Sequence, residues 1–386
     1  MRISKNTMSN QGVKFAFVDE MRGIAILMVI LVHTSQKVPN LSPLIATLAQ
    51  YGQMGVQLFF VASAYTLCIS IDRHSEESVG VLSFYLRRLF RIAPLYYCAV
   101  LLYFLVHILR QFFAFGKIIT VTPYSFENVI ANLTFMHGFV PSANNNIVPG
   151  GWSIGTEMAF YLIFPLLFVF SKSIAKKRFA YLIALFLLCF VLNLGIQLGI
   201  NEVTHRSMHI NGFRYFNIVN QLPVFVLGII AYFTHKEYIH PMLYSRSISI
   251  LGFLLFLGVT LWLLNFQGNW QAAIIPTSSA ISFIFLLNWL KTLSVNSRTI
   301  CKIGVVSYSM YVFHFIFAWL LVPTILSKLP HIGNSDIELI IAFVLTCILT
   351  FLVAIITQQV IETKGISMGA RVISYLQTCA NNVSRA

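Results

Sequence analysis

The chain has little charge, and very little of it is negative. Only 10% of its 386 residues are Asp, Glu, Lys or Arg, and twelve of these are acidic against 26 basic. Ordinary soluble domains carry about 25% charged residues, so a soluble globular fold is excluded. With 58% hydrophobic residues and a mean hydropathy of +0.79, a disordered chain is excluded as well. Cysteine is also sparse. Cys68, Cys98, Cys189, Cys301, Cys347 and Cys379 form no C-x-x-C pair and fall mostly within apolar runs. They read as small buried residues, neither a metal site nor a disulfide framework. Internal repeats, low-complexity linkers and a Gly-rich phosphate loop are absent too.

What the chain has is apolar length. Ten segments are long enough to span or nearly span a bilayer, near residues 22–38, 53–71, 92–115, 152–171, 179–199, 217–234, 248–266, 272–290, 304–326 and 337–360. They predict an all-α polytopic membrane protein in which residues 1–386 form one membrane domain, with no room for a separate soluble one. The 34 Phe residues read as lipid-facing or core, with no stacking code for nucleic acid. The net charge of +14 takes its meaning from position. With the N-terminus in the cytosol, the outer segments hold only Lys37, Arg110, Lys117, Arg206, Arg214 and Lys328 of the 26 basic residues. That asymmetry fits the positive-inside rule and makes both termini cytosolic. A secretory leader is the competing reading of the N-terminus. Asp19 and Glu20 stand where a leader should be basic, and no small-x-small site follows, so the first segment is expected to be a retained helix.

Two stretches place ionisable residues inside apolar runs. Arg22 and His33 are separated by ten uncharged residues, and Gly151-Trp152-Ser153-Ile154-Gly155-Thr156-Glu157 carries a carboxylate into another run. Such groups are costly in lipid and are usually kept because they work there, which favours a membrane enzyme. On a helix, Arg22 and His33 share one face, roughly 16 Å apart in depth. Arg22 then lies at the cytosolic interface and His33 toward the outer leaflet. Glu157 descends from outside on a segment starting near Trp152. Both His33 and Glu157 would lie about five residues below the outer surface, and a His33–Glu157 pair is expected. The carboxylate would fix the tautomer of the imidazole and raise its basicity toward a hydroxyl proton. The plainer alternative is two polar residues satisfied by neighbouring helices.

Arg88 and Arg91 are three apart on the expected cytosolic side, a spacing that fits either a two-guanidinium grip on phosphate or a membrane anchor. Ser307, Tyr311 and His314 share a face of the ninth segment, as interhelical glue or as part of a site. His205 and His209 stand at i, i+4 without an evident third ligand, so no metal site is expected. His107 and His137 stand alone. Residues 116–151, with Asn144-Asn145-Asn146 and Pro149-Gly150-Gly151, read as an ordered outer loop with turns.

Taken together, several stretches resemble one family, the integral-membrane acyltransferase family 3. They are Asp19-Glu20-Met21-Arg22-Gly23-Ile24-Ala25 running to His33, Val56 to Ser63, Arg88-x-x-Arg91-x-x-Pro94, Trp152 to Glu157 with Phe160-Tyr161 and Pro165, and Ser307 to Tyr311 with His314. They follow the family's order over nearly the whole chain. The chain departs from the family's pattern at Glu20, at Ala64 after Ser63, and at Thr363 after Glu362.

The resemblance implies an O-acetyltransferase of the bacterial inner membrane, in a stand-alone form without an appended soluble domain. Its co-substrate would be cytosolic acetyl-CoA, with no bound cofactor. The acceptor would be a sugar hydroxyl of an envelope polysaccharide, such as O-antigen, capsule or exopolysaccharide, or of its lipid-linked precursor. The implied catalytic residues are His33 and Glu157; Arg22, Arg88 and Arg91 would serve the acyl-CoA or its channel. Asp19, Ser63, Trp152, Ser153, Tyr161, Tyr311 and His314 would support them. The alternative is a transporter or flippase for a lipid-linked or small anionic substrate. That class favours internal repeats or paired broken helices, and neither is visible.

Overall fold

A computed structural model describes residues 16–74, 77, 79–204, 212–236, 245–265, 269–293, 297–329 and 333–383. Among the described residues every regular element is helical. The long ones are α1 (Ala16–Ser35), α2 (Pro43–Tyr51), α3 (Gly55–Arg73), α4 (Gly80–Phe115), α5 (Phe126–Leu133), α6 (Gly151–Lys177), α7 (Ala180–Thr204), α8 (Ile218–Lys236), α9 (Arg246–Leu264), α10 (Asn269–Thr292), α11 (Arg298–Val305), α12 (Ser307–Leu326), α13 (Ser335–Thr357) and α14 (Thr363–Val383). Two π-helical turns interrupt them, Phe317–Leu321 within α12 and Gln358–Glu362 between α13 and α14.

Nine helical stretches among the described residues are long and apolar enough to cross a bilayer. The tenth expected span is α1. Its first seven residues contain Asp19, Glu20 and Arg22, too much charge for lipid. It lies instead inside the bundle, where Glu20 and much of its length are buried. The protein is an all-α polytopic integral membrane protein with a charged helix at its centre.

Burial sorts the helices. The α8 stretch is 78% buried, whereas the α7 stretch is 11% buried and turns Val191, Leu192 and Val203 outward. This is the pattern of a helix whose outer face meets lipid tails. Helix α3 runs between α1 and α8. Gly55 permits the contact with α1, because a Cβ there would fall 2.5 Å from the Ala25 carbonyl oxygen. On the other side, Phe60 stacks on Phe225 at 4.5 Å, and Phe225 on Phe160 at 3.9 Å. That stack ties α3, α8 and α6 together. Pro94, Pro165, Pro223 and Pro276 lie within helices, as membrane helices tolerate when neighbours satisfy the freed carbonyls.

At one rim, Asp72 at the end of α3 holds Lys172 of α6 at 3.0 Å, the Tyr232 hydroxyl of α8 at 2.7 Å, and Lys236. At the opposite rim the Ser42 amide donates to Asp336 at 2.9 Å. Between α4 and α6 the chain turns inward. Asn132, His137, Asn144, Ile147 and Val148 are buried, as are all six residues from Gly151 to Thr156. His137 packs so closely on Gly155 that a Cβ there would lie 2.8 Å from its imidazole. Helix α6 therefore begins inside the protein, under a lining of loop.

Candidate active site

The inward start of α6 sets the depth of Glu157. Its Oε1 accepts from the Tyr161 hydroxyl at 2.5 Å and from the Ser63 hydroxyl. Arg22 and Arg88 lie within electrostatic range, and Asp19 within range of Arg22 and Arg91. Glu157, Tyr161, Ser63 and Arg22 line a cavity of about 70 Å³ together with Arg91, Ser307, Tyr308 and Tyr311. At its edge the Ser153 hydroxyl donates to the Tyr311 hydroxyl at 2.8 Å, which donates to the Gly150 carbonyl at 2.9 Å. Trp152 stacks on Phe216 at 4.3 Å and serves as packing beside the chamber.

Arg91 also lines a second cavity, of about 400 Å³, with Glu77, Arg87 and Arg88 facing Ile366, Ala370 and Ser374 of α14. Glu77 takes Arg87 in a forked contact at 2.5 and 2.6 Å. Burial works against ionisation of Glu77, but the guanidinium wins and holds its carboxyl below the ordinary value. Arg88 sits over Phe84 at 5.8 Å, and its buried Nε has no hydrogen-bond partner among the described residues. Three arginines thus converge, Arg22, Arg88 and Arg91, with like charges in range of one another. Such convergence suits an anion, which charge-assisted hydrogen bonds would hold.

His33 belongs to a different neighbourhood. Eleven residues along α1 place it roughly 16 Å from Arg22. Its Nδ1 lies 2.8 Å from the Val29 carbonyl oxygen and 3.1 Å from Nε2 of His314. The rings of Phe315 and Trp319 close around it at 4.3 and 5.8 Å, and the Trp319 indole donates to the His33 carbonyl at 3.2 Å. His314 donates through Nδ1 to the Tyr311 carbonyl at 2.7 Å. Helix α12 joins the two neighbourhoods, with Tyr311 in the charged chamber and His314 one turn on beside His33.

The expected His33–Glu157 pair is therefore not formed. Counting residues from the surface assumed that α6 starts there. It starts within the protein, which carries Glu157 down to the level of Arg22 and leaves His33 with a histidine partner. Arg22, Asp19, Ser63, Ser153, Glu157, Tyr161 and Arg91 do come together, and Arg88 joins through its charge. Sequence reasoning passed over Glu362 as a functional group. It is buried in the π-helical turn, accepts from Ser309, and lies within range of Arg91 and Arg22. An acidic residue at the end of the apolar run 337–360 was the available signal. His107 bonds the Thr120 carbonyl, and His137 stacks on Tyr96 and bonds the Gly151 carbonyl, so both hold loop to helix. His205 and His209 lie outside the described residues. No cluster of three metal-ligating side chains occurs among the described residues.

Known proteins resemble this chain in sequence. O-acetyltransferase OatA of Staphylococcus aureus, in strains NCTC 8325 and MRSA252 alike, is 24% identical over 381 residues, covering 93% of this chain and 58% of the relative. A second protein of Staphylococcus aureus strain COL, provisionally named an O-acetyltransferase, is 24% identical over 323 residues, 77% of this chain and half of that protein. The chain thus spans less than two thirds of the length of these relatives. No solved structure matches it at a significant level. The profile of an acyltransferase domain matches residues 15–358, nearly all of the bundle described above, and on that match the chain belongs to the integral-membrane acyltransferase family 3.

Proposed function

We propose that this chain is a membrane O-acetyltransferase that takes acetyl from cytosolic acetyl-CoA and delivers it to a sugar hydroxyl. The acceptor is an envelope polysaccharide or its lipid-linked precursor, and the membrane is the bacterial inner membrane. One observation carries the reading: Arg91 lines both the arginine-rich cavity and the buried chamber, and α12 continues from that chamber to His33. The donor's phosphates would meet Arg88 and Arg91, its thioester arm would thread past Arg22, Glu157 and Tyr311, and its acetyl group would reach His33 from below. The acceptor hydroxyl would arrive from the opposite side.

In this reading His33 takes the hydroxyl proton as the oxygen attacks the acetyl carbonyl carbon. The tetrahedral intermediate collapses with cleavage of the C–S bond, and the proton passes from His33 to the departing CoA thiolate. Glu157 and Glu362 balance the arginines, and Ser63 with Tyr161 fixes the Glu157 carboxylate. The relatives' names as O-acetyltransferases support the transfer of acetyl to oxygen.

The test is acetyl-CoA turnover by purified protein, with mass spectrometry of the envelope glycan from cells with and without it. CoA release and loss of glycan acetyl on deletion are expected. A protein that releases no CoA but moves a lipid-linked substrate across vesicles would be a carrier, and the proposal would fall. Orientation is tested separately: a reporter after Ala386 should be cytosolic and a tag near Asn145 accessible from outside.

A further inference from the structure

We infer that His314 fixes the tautomer of His33, accepting from its Nδ1–H and leaving Nε2 bare as the atom that receives the acceptor's proton. The inference rests on the proposed role of His33 as base and names the positioning residue behind it. Hydrogen-bond chemistry at three nitrogens carries the argument. Nδ1 of His314 lies 2.7 Å from the Tyr311 carbonyl oxygen. A carbonyl only accepts, so this nitrogen holds the hydrogen, and Nε2 of the neutral ring is an acceptor. That acceptor is 3.1 Å from Nδ1 of His33, which is also 2.8 Å from the Val29 carbonyl oxygen. Both neighbours of His33 Nδ1 are acceptors. Nδ1 must carry the hydrogen, and Nε2 the lone pair.

An unrestrained imidazole samples both tautomers and several ring orientations. Here either departure would strand a buried donor or acceptor in an apolar pocket, which disfavours it. The surroundings hold the geometry. His314 is fully buried, and Phe315 packs against both imidazoles, at 4.3 Å from His33 and 4.0 Å from His314. The π-helical turn beginning at Phe317 contains Trp319, whose indole N–H reaches the His33 carbonyl at 3.2 Å; single π turns occur often at functional sites. His314 touches neither donor nor acceptor and acts through His33. It orients a base much as a carboxylate does in a hydrolase triad, but a neutral acceptor adds no charge to this apolar pocket.

The test uses the full purified chain, acetyl-CoA as the probe, and nitrogen-15 spectra of the histidine-labelled protein. In wild type the His33 signals should show a protonated Nδ1 and a bare Nε2, and the reverse pattern overturns the inference directly, whatever the activity. In turnover, His314→Leu should lower kcat about 10–100-fold, as loss of an orienting partner does, with KM for acetyl-CoA unchanged. His314→Gln supplies an amide oxygen near the lost Nε2 and should recover most of the rate. His33→Ala sets the floor, and adding His314→Leu to it should cost nothing more. Equal losses in the Leu and Gln variants would mean that His314 only fills space, and a wild-type rate in His314→Leu beside an inactive His33→Ala would remove it from the site; both overturn the inference. Undiminished turnover in His33→Ala would instead sink the role of His33, while the nitrogen spectra would still decide the tautomer.

Discussion

Two polar neighbourhoods hang on the same helix and are built on opposite principles. Around Arg22 the groups are charged, three arginines against Glu157, Glu362 and Asp19, beside two cavities that share Arg91 as a lining residue. Around His33 the groups are neutral donors and acceptors in an aromatic pocket. On the proposed function, the difference follows from what each would have to do. Arginines that share several carboxylates can take an incoming phosphate as a further partner through their remaining N–H donors. A base that must stay unprotonated until an acceptor arrives is better kept among neutral partners, because a fixed carboxylate would favour the charged form of the imidazole.

The largest effect is expected at the neutral end, where His33→Ala should lower acetyl transfer roughly 10²–10⁴-fold by losing general-base assistance. Donor affinity, measured by isothermal titration with acetyl-CoA, should hardly move. Because the two neighbourhoods are separate, Glu157→Gln should multiply with His33→Ala rather than be masked by it. A double variant no worse than either alone would restore the pairing that the structure separates.

At the charged end, Arg22→Gln leaves Glu157 with one fewer cation. Losing one cation from this set should lower the melting temperature in detergent, because Glu157 keeps its charge with less to balance it. Adding Glu157→Gln should recover part of that loss. Identical melting of wild type and Arg22→Gln would show that the chamber is wet and its charges screened.

Arg88→Ala and Arg91→Ala act at the second cavity. Each should weaken acetyl-CoA binding by about 1.5–3 kcal/mol, the worth of a charge-assisted hydrogen bond, with partial rescue by Lys, which lacks the guanidinium fork. Unchanged affinity in the double variant would reduce this segment to a membrane anchor. The smallest effect belongs to Asp72→Asn. Its contacts to Lys172 and Lys236 sit at the rim with partly exposed partners, and such pairs contribute less than about 1 kcal/mol. Its melting temperature should drop slightly and turnover should stay; a large loss of turnover would give this rim a part in the chemistry.

Most of the helices were readable in the residues. The ten apolar runs correspond to nine bilayer-length helices and α1, because hydropathy over about 20 residues is a local property. The ionisable residues of the two neighbourhoods were readable for a similar reason: an Arg, a Glu or a His inside an apolar run is conspicuous in one dimension. Their grouping was not. Helical periodicity put Arg22 and His33 on one face, and the distance between them follows from the rise per residue alone. It could not say that residues 126–150 fold inward and start α6 below the surface.

The sequence by itself determined that this is an all-helical membrane protein, with ionisable side chains where lipid would reject them, since transfer free energies act residue by residue. Only the tertiary structure decided which of those side chains meet. Glu157 joined the arginines and His33 joined His314 because a buried loop displaced one helix along its axis, and no local pattern records how far a helix slides.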